Sequence, residues 1–158
     1  MFDFFKKKNR ETILMAPFEG EIVDITTVRD AMFSQKLLGD GVAVIPSNNR
    51  AVAPCDGKIS SIFPTNHAFG IITKEGLEIL VHIGIDTVTL KGKGFKRIKE
   101  AGTIVKKGET IIEIDIDYIK SMGKDTITPL VITNMEKVEN MNKSYENRQE
   151  TLKIILNK

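Results

Sequence analysis

The chain contains two histidines, His67 and His82, which lie fifteen residues apart inside apolar stretches typical of strands. A neutral imidazole is a nucleophile near pH 7, and a second imidazole beside it can donate a hydrogen bond to an incoming anion. Burial and mutual repulsion disfavour protonation of such a pair, so at least one ring stays neutral. The pair is therefore suited to accept a phosphoryl group and to stabilise its charge. It could equally supply two ligands to zinc, although two ligands leave a zinc site incomplete.

The sequence around His82 predicts a strand with one core face and one functional face. Alternate residues of a strand share a face, so one set points into the core: Ile79, Val81, Ile83 and Ile85. The opposite face carries Leu80, His82, Gly84 and Asp86. Because Gly84 has no side chain, a bulky group can approach His82 from that side. The simpler alternative is a histidine at the edge of the core that makes one hydrogen bond.

The segment around His67 weakens that alternative. A proline, an asparagine and a glycine within residues 64–70 make it an unfavourable place for a side chain that merely fills space. If the segment is extended, Thr65, His67 and Phe69 share a face, and the Thr65 hydroxyl can orient the imidazole. We therefore expect His67 and His82 to meet where their strands come together.

Composition bounds the class of protein. The 158 residues, 41% hydrophobic and 28% charged, fit one globular domain with its own core. A net charge of +2 with both signs interspersed gives no reason to expect nucleic acid binding. The sequence shows neither a secretory signal nor an apolar stretch near the ~20 residues of a membrane span. Cys55 is the single cysteine, so an internal disulfide is impossible. We expect a cytoplasmic protein in which Cys55 is structural, since it lacks the partners that activate a thiol.

Short β-branched runs bounded by Gly, Pro, Asp or Asn predict an all-β fold, a β-sandwich or barrel-sandwich hybrid. They run from GEIVDITTV at Gly20 through GVAVIP, GKISSIF, GIITK, LEILVHIGI, GTIVKKGETIIEIDI and PLVIT to LKIIL at Leu152. Two stretches, SQKLLGD and DYIKSMG, are predicted as short helical turns, and NKSYENRQE as an exposed loop. We expect residues 1–10 to form a flexible tail and residues 11–158 to form a single domain.

An internal repeat predicts a duplicated strand motif. APFEGEI at residues 16–22 and APCDGKI at residues 53–59 share the pattern A-P-x-acid-G-x-I at an offset of 37. Proline followed by an acidic residue and glycine forms a turn, and the isoleucine then enters a strand. Two copies indicate a pseudo-symmetric pair of strands built from one unit. The alternative is that turn chemistry alone produced so short a match.

The stretch GLEILVHIGIDTV, residues 76–88, sets a histidine, a glycine and a threonine at fixed spacing in an apolar frame. With this signature the chain resembles the glucose-type EIIA domain of the bacterial phosphoenolpyruvate-dependent sugar phosphotransferase system. The resemblance continues through APFEGEI, KLLGDGVAV, APCDGKI, FPTNHAFGI, LKGKGFKRI and TPLVITN, and is weakest at NKSYENRQE. It therefore covers nearly the whole chain.

The resemblance implies a phosphocarrier, hence a phosphotransferase component, on a β-sandwich with barrel-like character. It implies that HPr, the histidine phosphocarrier protein, phosphorylates His82 on Nε2. The phosphoryl group then passes to a cysteine of a IIB domain and finally to a sugar entering through the IIC permease. His67 is implied to support transfer without being phosphorylated, and Thr65 to assist it.

The resemblance also implies a docking surface with an acidic rim. Asp30 and Asp86 match rim residues that meet basic side chains of partners, and Phe33, Phe63 and Val88 belong to the apolar interface. No cofactor is required, although in some relatives the two histidines share zinc with a carboxylate of a regulated target enzyme. An alternative function is a regulatory binding domain whose phosphorylation state controls other proteins.

Two other classes fit the sequence less well. A zinc peptidase on a related duplicated fold needs more ligands than these two histidines, and neither H-x-H nor H-E-x-x-H occurs. A biotinyl or lipoyl carrier needs a lysine in a specific context at an exposed hairpin tip. VKKGETI, residues 105–111, offers two lysines without that context, and a charged turn explains them.

The first ten residues, MFDFFKKKNR, combine three phenylalanines with four cations. Aromatic anchors beside a basic cluster are attracted to anionic membrane surfaces. The segment therefore predicts weak, reversible membrane attraction. The alternatives are a disordered terminus or phenylalanines that cap the edge of the core.

Overall fold

The computed structural model describes residues 10–158, in which the β-branched runs form strands and the Gly-, Pro- and Asp-rich segments form turns. The strands are β1 (Glu11–Leu14), β2 (Gly20–Asp24), β3 (Asp40–Pro46), β4 (Arg50–Val52), β5 (Gly57–Ile62), β6 (Ala68–Ile72), β7 (Glu78–His82), β8 (Phe95–Arg97), β9 (Ile104–Val105), β10 (Thr110–Ile114), β11 (Thr128–Ile132), β12 (Val138–Lys143) and β13 (Leu152–Leu156). The α-helices are α1 (Ala31–Ser34) and α2 (Ile116–Ser121). Short 3-10 helices occupy Ile25–Thr27, Thr87–Leu90, Met135–Lys137 and Arg148–Glu150.

The strands form three antiparallel sheets. A seven-stranded sheet has the order β2-β3-β11-β7-β6-β5-β9. Two three-stranded sheets have the orders β1-β13-β12 and β4-β10-β8. Strands β2 and β9 lie at the two edges of the large sheet, which is therefore open and not closed into a barrel. The predicted all-β sandwich is confirmed.

A single large hydrophobic cluster holds the three sheets together. It contains side chains from each of them, for example Leu14 of β1, Ile112 of β10 and Phe69 of β6, all fully buried. A second, smaller cluster includes Ile25, Val28, Phe33, Ala43, Ile85, Ile127 and Val131. The smaller cluster lies beneath the helical connection between β2 and β3, and it supports that connection against the sheet.

The internal repeat is a structural repeat. The glycine of each copy begins a strand, β2 in the first copy and β5 in the second, and each strand forms a hairpin with the next strand of the chain. The two copies also bond reciprocally: Met15 N–H donates to Pro54 O and Val52 N–H donates to Pro17 O, both at 2.9 Å. These bonds exchange under the 37-residue offset, so a local pseudo-two-fold axis passes between the copies.

Several predicted elements are displaced or were missed. The helical turn predicted at SQKLLGD lies earlier, at Ala31–Ser34, because Asp30 caps the helix by accepting from Met32 N–H at 2.9 Å. Strand β12 begins before the predicted loop at NKSYENRQE and includes its first two residues. Four of its six side chains are polar, and the two apolar ones that pack on the core, Val138 and Met141, are three residues apart. The sequence therefore lacks the apolar alternation of a half-buried strand.

Most of the predicted tail, residues 1–9, lies outside the described residues, and so does the candidate membrane-binding segment except for Arg10. Arg10 itself is joined to β13. Its carbonyl accepts from Leu156 N–H at 3.0 Å, and its guanidinium donates to Leu156 O at 2.8 Å. In the described part of the chain, no helix has the length and apolarity needed to cross a membrane.

Candidate functional site

His82 is the last residue of β7, where the strand leaves the seven-stranded sheet. Its cross-strand partner is Ala68, the first residue of β6. His82 is half-buried, whereas the next core position, Ile83, is fully buried. The imidazole therefore lies at the boundary between the core and the surface.

Two connecting loops bring their side chains to this end of β7. The first loop, residues 25–39, joins β2 to β3 and carries Asp30 and Phe33. The second loop, residues 63–67, joins β5 to β6 and carries Thr65 and His67. Because β7 lies between the two hairpins in the sheet order, the site is assembled from both halves of the repeat.

The tautomer of His82 follows from its hydrogen bond. Nδ1 of His82 lies 2.7 Å from the carbonyl oxygen of Gly84. A carbonyl oxygen can only accept, so Nδ1 carries the proton. In the neutral ring the lone pair then belongs to Nε2, which makes Nε2 the nucleophilic nitrogen.

The prediction that Gly84 and Asp86 continue the face of the His82 strand is wrong. The strand ends at His82, and Gly84 and Asp86 both have positive φ, +74° and +58°. A Cβ on Gly84 would lie 2.6 Å from Cγ2 of Thr87 and 2.7 Å from the carbonyl oxygen of Asp125. Glycine is thus needed for a tight left-handed turn that aims its carbonyl at His82, and not to leave room for an approaching group.

His67 lies against His82 as expected. The two ring centroids are 5.1 Å apart at an interplanar angle of 78°. His67 is only 4% exposed, its Nδ1 lies 2.6 Å from Oγ1 of Thr65, and its carbonyl accepts from Ile83 N–H at 2.6 Å. The expected pairing of Thr65 with His67 is present, but through a turn at Asn66 (φ +63°) and not through an extended strand.

Burial keeps both rings neutral at pH 7. It lowers the pKa of His67 to about 4, and repulsion by His82 contributes. Burial also lowers the pKa of His82, while the hydrogen bond to Gly84 and the charge of Asp30 partly oppose this. The pair therefore offers one buried neutral imidazole beside one half-buried neutral imidazole.

The predicted docking residues surround the pair at different depths. Phe63 and Val88 are 40% and 52% exposed, and the Phe63 ring meets the His67 ring edge to face at 5.2 Å. Phe33 is only 2% exposed and lies 5.3 Å from the His82 ring, so it supports the imidazole directly. Asp30 caps α1, whereas Asp86 is exposed and its carboxylate makes no capping bond. The docking role of these residues stays a prediction.

Sequence reasoning missed two residues that support the site. The buried Thr87 donates to Ile83 O at 2.6 Å, which fixes the turn after His82. Arg97, from another sheet, donates to Asn66 beside His67. A hydroxyl four residues after Ile83 is a signal for the Thr87 bond, but the sequence contains no signal for the Arg97 contact.

The two imidazoles are also possible metal ligands. Two neutral imidazoles suit zinc, but a structural zinc site uses four ligands. Within residues 10–158, no group of three or more His, Cys, Asp or Glu side chains is placed to hold a metal ion. Cys55 belongs to the main core, and burial raises the pKa of its thiol to about 12, in keeping with the expected structural role.

Comparison with known proteins identifies what the chain is similar to. Residues 12–138 match the family model described as phosphoenolpyruvate-dependent sugar phosphotransferase system, EIIA 1. The chain is 49% identical over 143 residues to the PTS system glucose-specific EIIA component of Borreliella burgdorferi, covering 90% of this chain and 75% of the relative. It is 50% identical over 138 residues to the corresponding component of Haemophilus influenzae, with 87% and 83% covered.

Two further comparisons concern architecture. The PTS system glucose-specific EIICBA component of Staphylococcus saprophyticus is 47% identical over 126 residues, which is 80% of this chain but 19% of that protein. The solved structure of glucose permease IIA from Mycoplasma capricolum superposes with a TM-score of 0.83 at 34% identity. The superposition covers 93% of this chain and 97% of that structure, so the fold is shared throughout.

Proposed function

Since the chain belongs to the EIIA 1 family of the phosphoenolpyruvate-dependent sugar phosphotransferase system, we propose that Nε2 of His82 accepts a phosphoryl group from HPr and passes it to a IIB domain. The chain is a phosphocarrier and a phosphotransferase component of that system. The single observation that carries the assignment of the atom is the bond between Nδ1 of His82 and Gly84 O at 2.7 Å.

In the transfer step, one nitrogen–phosphorus bond forms and another breaks. The lone pair on Nε2 of His82 attacks phosphorus, the new N–P bond forms, and the nitrogen of the donor imidazole keeps the electron pair of the bond that breaks. Nδ1–H of His82 remains bonded to Gly84 O throughout, which supports the positive charge that the phosphorylated ring acquires. In the onward step a thiolate of IIB displaces the ring, which leaves as a neutral imidazole.

His67 acts as a hydrogen-bond donor to the phosphoryl group. Its low pKa, about 4, keeps the ring neutral, so one nitrogen carries a proton and the other accepts. We place the Thr65 hydroxyl as donor to Nδ1 at 2.6 Å, which leaves the proton on Nε2. That N–H can then stabilise phosphoryl oxygens next to His82, whose ring centroid is 5.1 Å away.

The occurrence of a similar sequence within a longer EIICBA protein supports a IIB or permease partner. In the Staphylococcus saprophyticus relative, whose name is EIICBA, the sequence similar to this chain forms 19% of a longer protein. We propose that partners dock on the surface around the histidines, with Phe63 and Val88 as apolar contacts and Asp86 as part of an acidic rim. HPr as the donor, and the cytoplasm as the compartment, are parts of the same proposal.

The names of the relatives direct the choice of substrate. The relatives from Borreliella burgdorferi and Haemophilus influenzae are both called glucose-specific. We propose glucose as the first sugar to test, with a IIB domain of a glucose permease as acceptor. Transfer needs no metal in this proposal, because the imidazole pair supplies both the nucleophile and the donor.

The direct test is phosphorylation by purified phospho-HPr in the presence of a chelator. We expect an acid-labile, alkali-stable phosphate on His82 of the wild-type chain, detected by mass spectrometry at alkaline pH. His82→Gln should fold normally and remain unmodified, because glutamine fills the space but cannot form the covalent intermediate. Phosphate retained on His82→Gln would overturn the assignment. Loss of transfer on chelation, restored by zinc, would contradict the metal-free mechanism.

A further inference from the structure

Arg97 connects a second sheet to the loop that carries His67. It ends β8, in the three-stranded sheet β4-β10-β8, where it pairs with Ile112. Its side chain leaves that sheet and reaches residues 63–66 of the large sheet's connecting loop. The contact therefore bridges two layers of the sandwich at the edge of the phosphoryl-transfer site.

The guanidinium of Arg97 contacts the loop at two points. Nε donates to Oδ1 of Asn66 at 2.8 Å, and Nη2 lies 3.4 Å from the carbonyl oxygen of Phe63. The same carbonyl accepts from Asn66 N–H at 2.7 Å, which closes the turn. A planar guanidinium can hold two acceptors of one turn in fixed relative positions, which a single ammonium cannot do.

Asn66 decides the geometry of the Thr65–His67 pair. It stands between the two residues in the left-handed conformation, at φ +63°. Because of this turn, Oγ1 of Thr65 comes within 2.6 Å of Nδ1 of His67. An asparagine tolerates this conformation but does not require it, so a charged hydrogen bond to its side chain stabilises the turn.

The backbone of His67 is held by other means. Its carbonyl accepts from Ile83 N–H at 2.6 Å, and β6 begins at the following residue. His82 is fixed separately, by Gly84 O. Loss of the Arg97 contact should therefore disturb the ring orientation and tautomer of His67 while it leaves the fold and the His82 nucleophile in place.

We propose that Arg97 is a positioning residue that acts through Asn66 to fix His67 for phosphoryl transfer. The expected effect on transfer rates rests on the proposed function, whereas the expected change in the NMR signals of His67 does not. The Arg97 fork holds the left-handed turn, the turn holds the Thr65 hydroxyl on Nδ1 of His67, and the proton stays on Nε2 of His67. Nη1 of Arg97 also lies 3.2 Å from the exposed carboxylate of Glu100, an ion pair that does not involve the loop and contributes little.

The test compares Arg97→Gln, Arg97→Lys and Asn66→Gly with two control variants, Lys96→Gln and Glu100→Gln. Lys96 is exposed on the same strand, so Lys96→Gln removes a positive charge that makes no contact with the loop. We measure the ¹⁵N chemical shifts and the pKa of both histidines by NMR in the unphosphorylated proteins. Transfer from phospho-HPr and to the IIB domain is then measured as two separate half-reactions.

We expect Arg97→Gln to shift the ¹⁵N signals of His67 but not those of His82, and to slow onward transfer about tenfold. Acceptance should change by less than about twofold, because the nucleophile is unaffected. Arg97→Lys should not restore the rate, because an ammonium lacks the fork. Glycine at position 66 can adopt the left-handed conformation, but without the acceptor for Arg97 nothing holds it there. The effect of Asn66→Gly should therefore match that of Arg97→Gln and not add to it.

Three results would overturn the inference. One is an unchanged His67 spectrum in both Arg97→Gln and Asn66→Gly. Another is full rescue by lysine, which would show that charge alone matters. The third is additivity of the two substitutions. If Arg97→Gln fails to fold, Asn66→Gly alone decides through the same spectra. If wild type accepts no phosphate, the proposed function fails while the NMR comparison still decides this inference.

Discussion

The carbonyl oxygen of Gly84 accepts a hydrogen bond from Nδ1 of His82 at 2.7 Å, and this contact selects the reactive nitrogen of the ring. The carbonyl is aimed by a left-handed turn at Gly84, with φ +74°. The turn is anchored on both sides, since Thr87 Oγ1 donates to Ile83 O at 2.6 Å and Ile85 N–H donates to Asp125 O at 3.0 Å. Chemistry at His82 is therefore coupled to backbone conformation two residues away.

Gly84→Ala should destabilise the protein and impair phosphorylation together. The added methyl group would meet Thr87 Cγ2 and Asp125 O below 3.0 Å, in a backbone conformation that alanine avoids. We expect a loss of about 2–4 kcal/mol in the free energy of unfolding, measured by urea denaturation. Acceptance of phosphate by the folded fraction should also fall.

Gly108→Ala is the matched control for that substitution. Gly108 has φ +91°, but a Cβ there meets nothing within 4 Å. It should cost only the backbone term, about 1 kcal/mol, and leave transfer intact. Equal losses in the two variants would contradict the clash that we describe at Gly84.

His67→Gln should separate the two half-reactions. The variant keeps the nucleophile, so we expect it to accept phosphate from phospho-HPr. Onward transfer to IIB should slow by about tenfold or more, because the donor that stabilises the moving phosphoryl group is lost. Rapid-quench measurement of each half-reaction checks this expectation. Equal loss in both directions would show that the two roles cannot be separated.

The low pKa of His67 predicts acid sensitivity. The pKa is about 4 in the folded protein and about 6.5 in an unfolded chain. Below pH 6.5 the unfolded state therefore binds more protons, and stability falls as the pH drops from 6.5 toward 4. The loss by pH 4 is on the order of 3 kcal/mol, since one pKa unit corresponds to ~1.4 kcal/mol.

His67→Gln should flatten this part of the stability profile. The readout is the slope of the unfolding free energy between pH 7 and pH 4, and not its absolute value, because the substitution also removes the bond to Thr65. Denaturant titrations at intervals of pH provide the slope. An equally steep profile in His67→Gln would assign the acid sensitivity to other groups.

Asp86→Asn should alter the encounter with HPr more than the chemistry. Asp86 is exposed at φ +58°, a conformation that asparagine tolerates, so the substitution removes charge without strain. We expect the association rate to fall a few-fold at low salt and the difference to vanish at high salt. Stopped-flow kinetics over a range of ionic strength measures this.

Asp30→Asn provides the comparison. Asparagine retains the cap on Met32 N–H, so α1 should persist. The charge of Asp30 raises the pKa of His82, so this variant should lower that pKa further, as measured by NMR titration. If Asp86→Asn changed the phosphorylation rate equally at all salt concentrations, a rim role in steering would be ruled out.

Sequence reasoning predicted the fold class and the meeting of the two histidines for physical reasons. The β-branched runs between turn residues fixed most strands of the large sheet, and the apolar alternation placed Ile79 and Val81 in the core, where both are buried. The 37-residue repeat predicted equivalent strands, which are β2 and β5. Periodicity fails where a strand ends, so the turn at Gly84 was read as strand.

The contacts that orient the site could not be read from periodicity. Thr65 bonds to His67 because Asn66 adopts the left-handed conformation. The sequence alone does not indicate whether an asparagine adopts that conformation. The partner of Asn66, Arg97, lies 31 residues further along the chain and in another sheet. Such a pairing depends on how layers pack, which local propensity does not encode.

The duplicated hairpins differ in one respect that matters for diversification. Each begins with the same turn, yet the loop between β2 and β3 spans residues 25–39, while the loop between β5 and β6 spans residues 63–67. The short loop carries the chemistry of His67, and the long one carries the helix beside His82. One duplicated framework thus supports the two imidazoles through separate segments: the short loop orients His67 through Thr65, and the long loop packs Phe33 against His82. A foreign 25–39 segment would therefore have to keep an aromatic ring at Phe33, because that ring packs against the nucleophile.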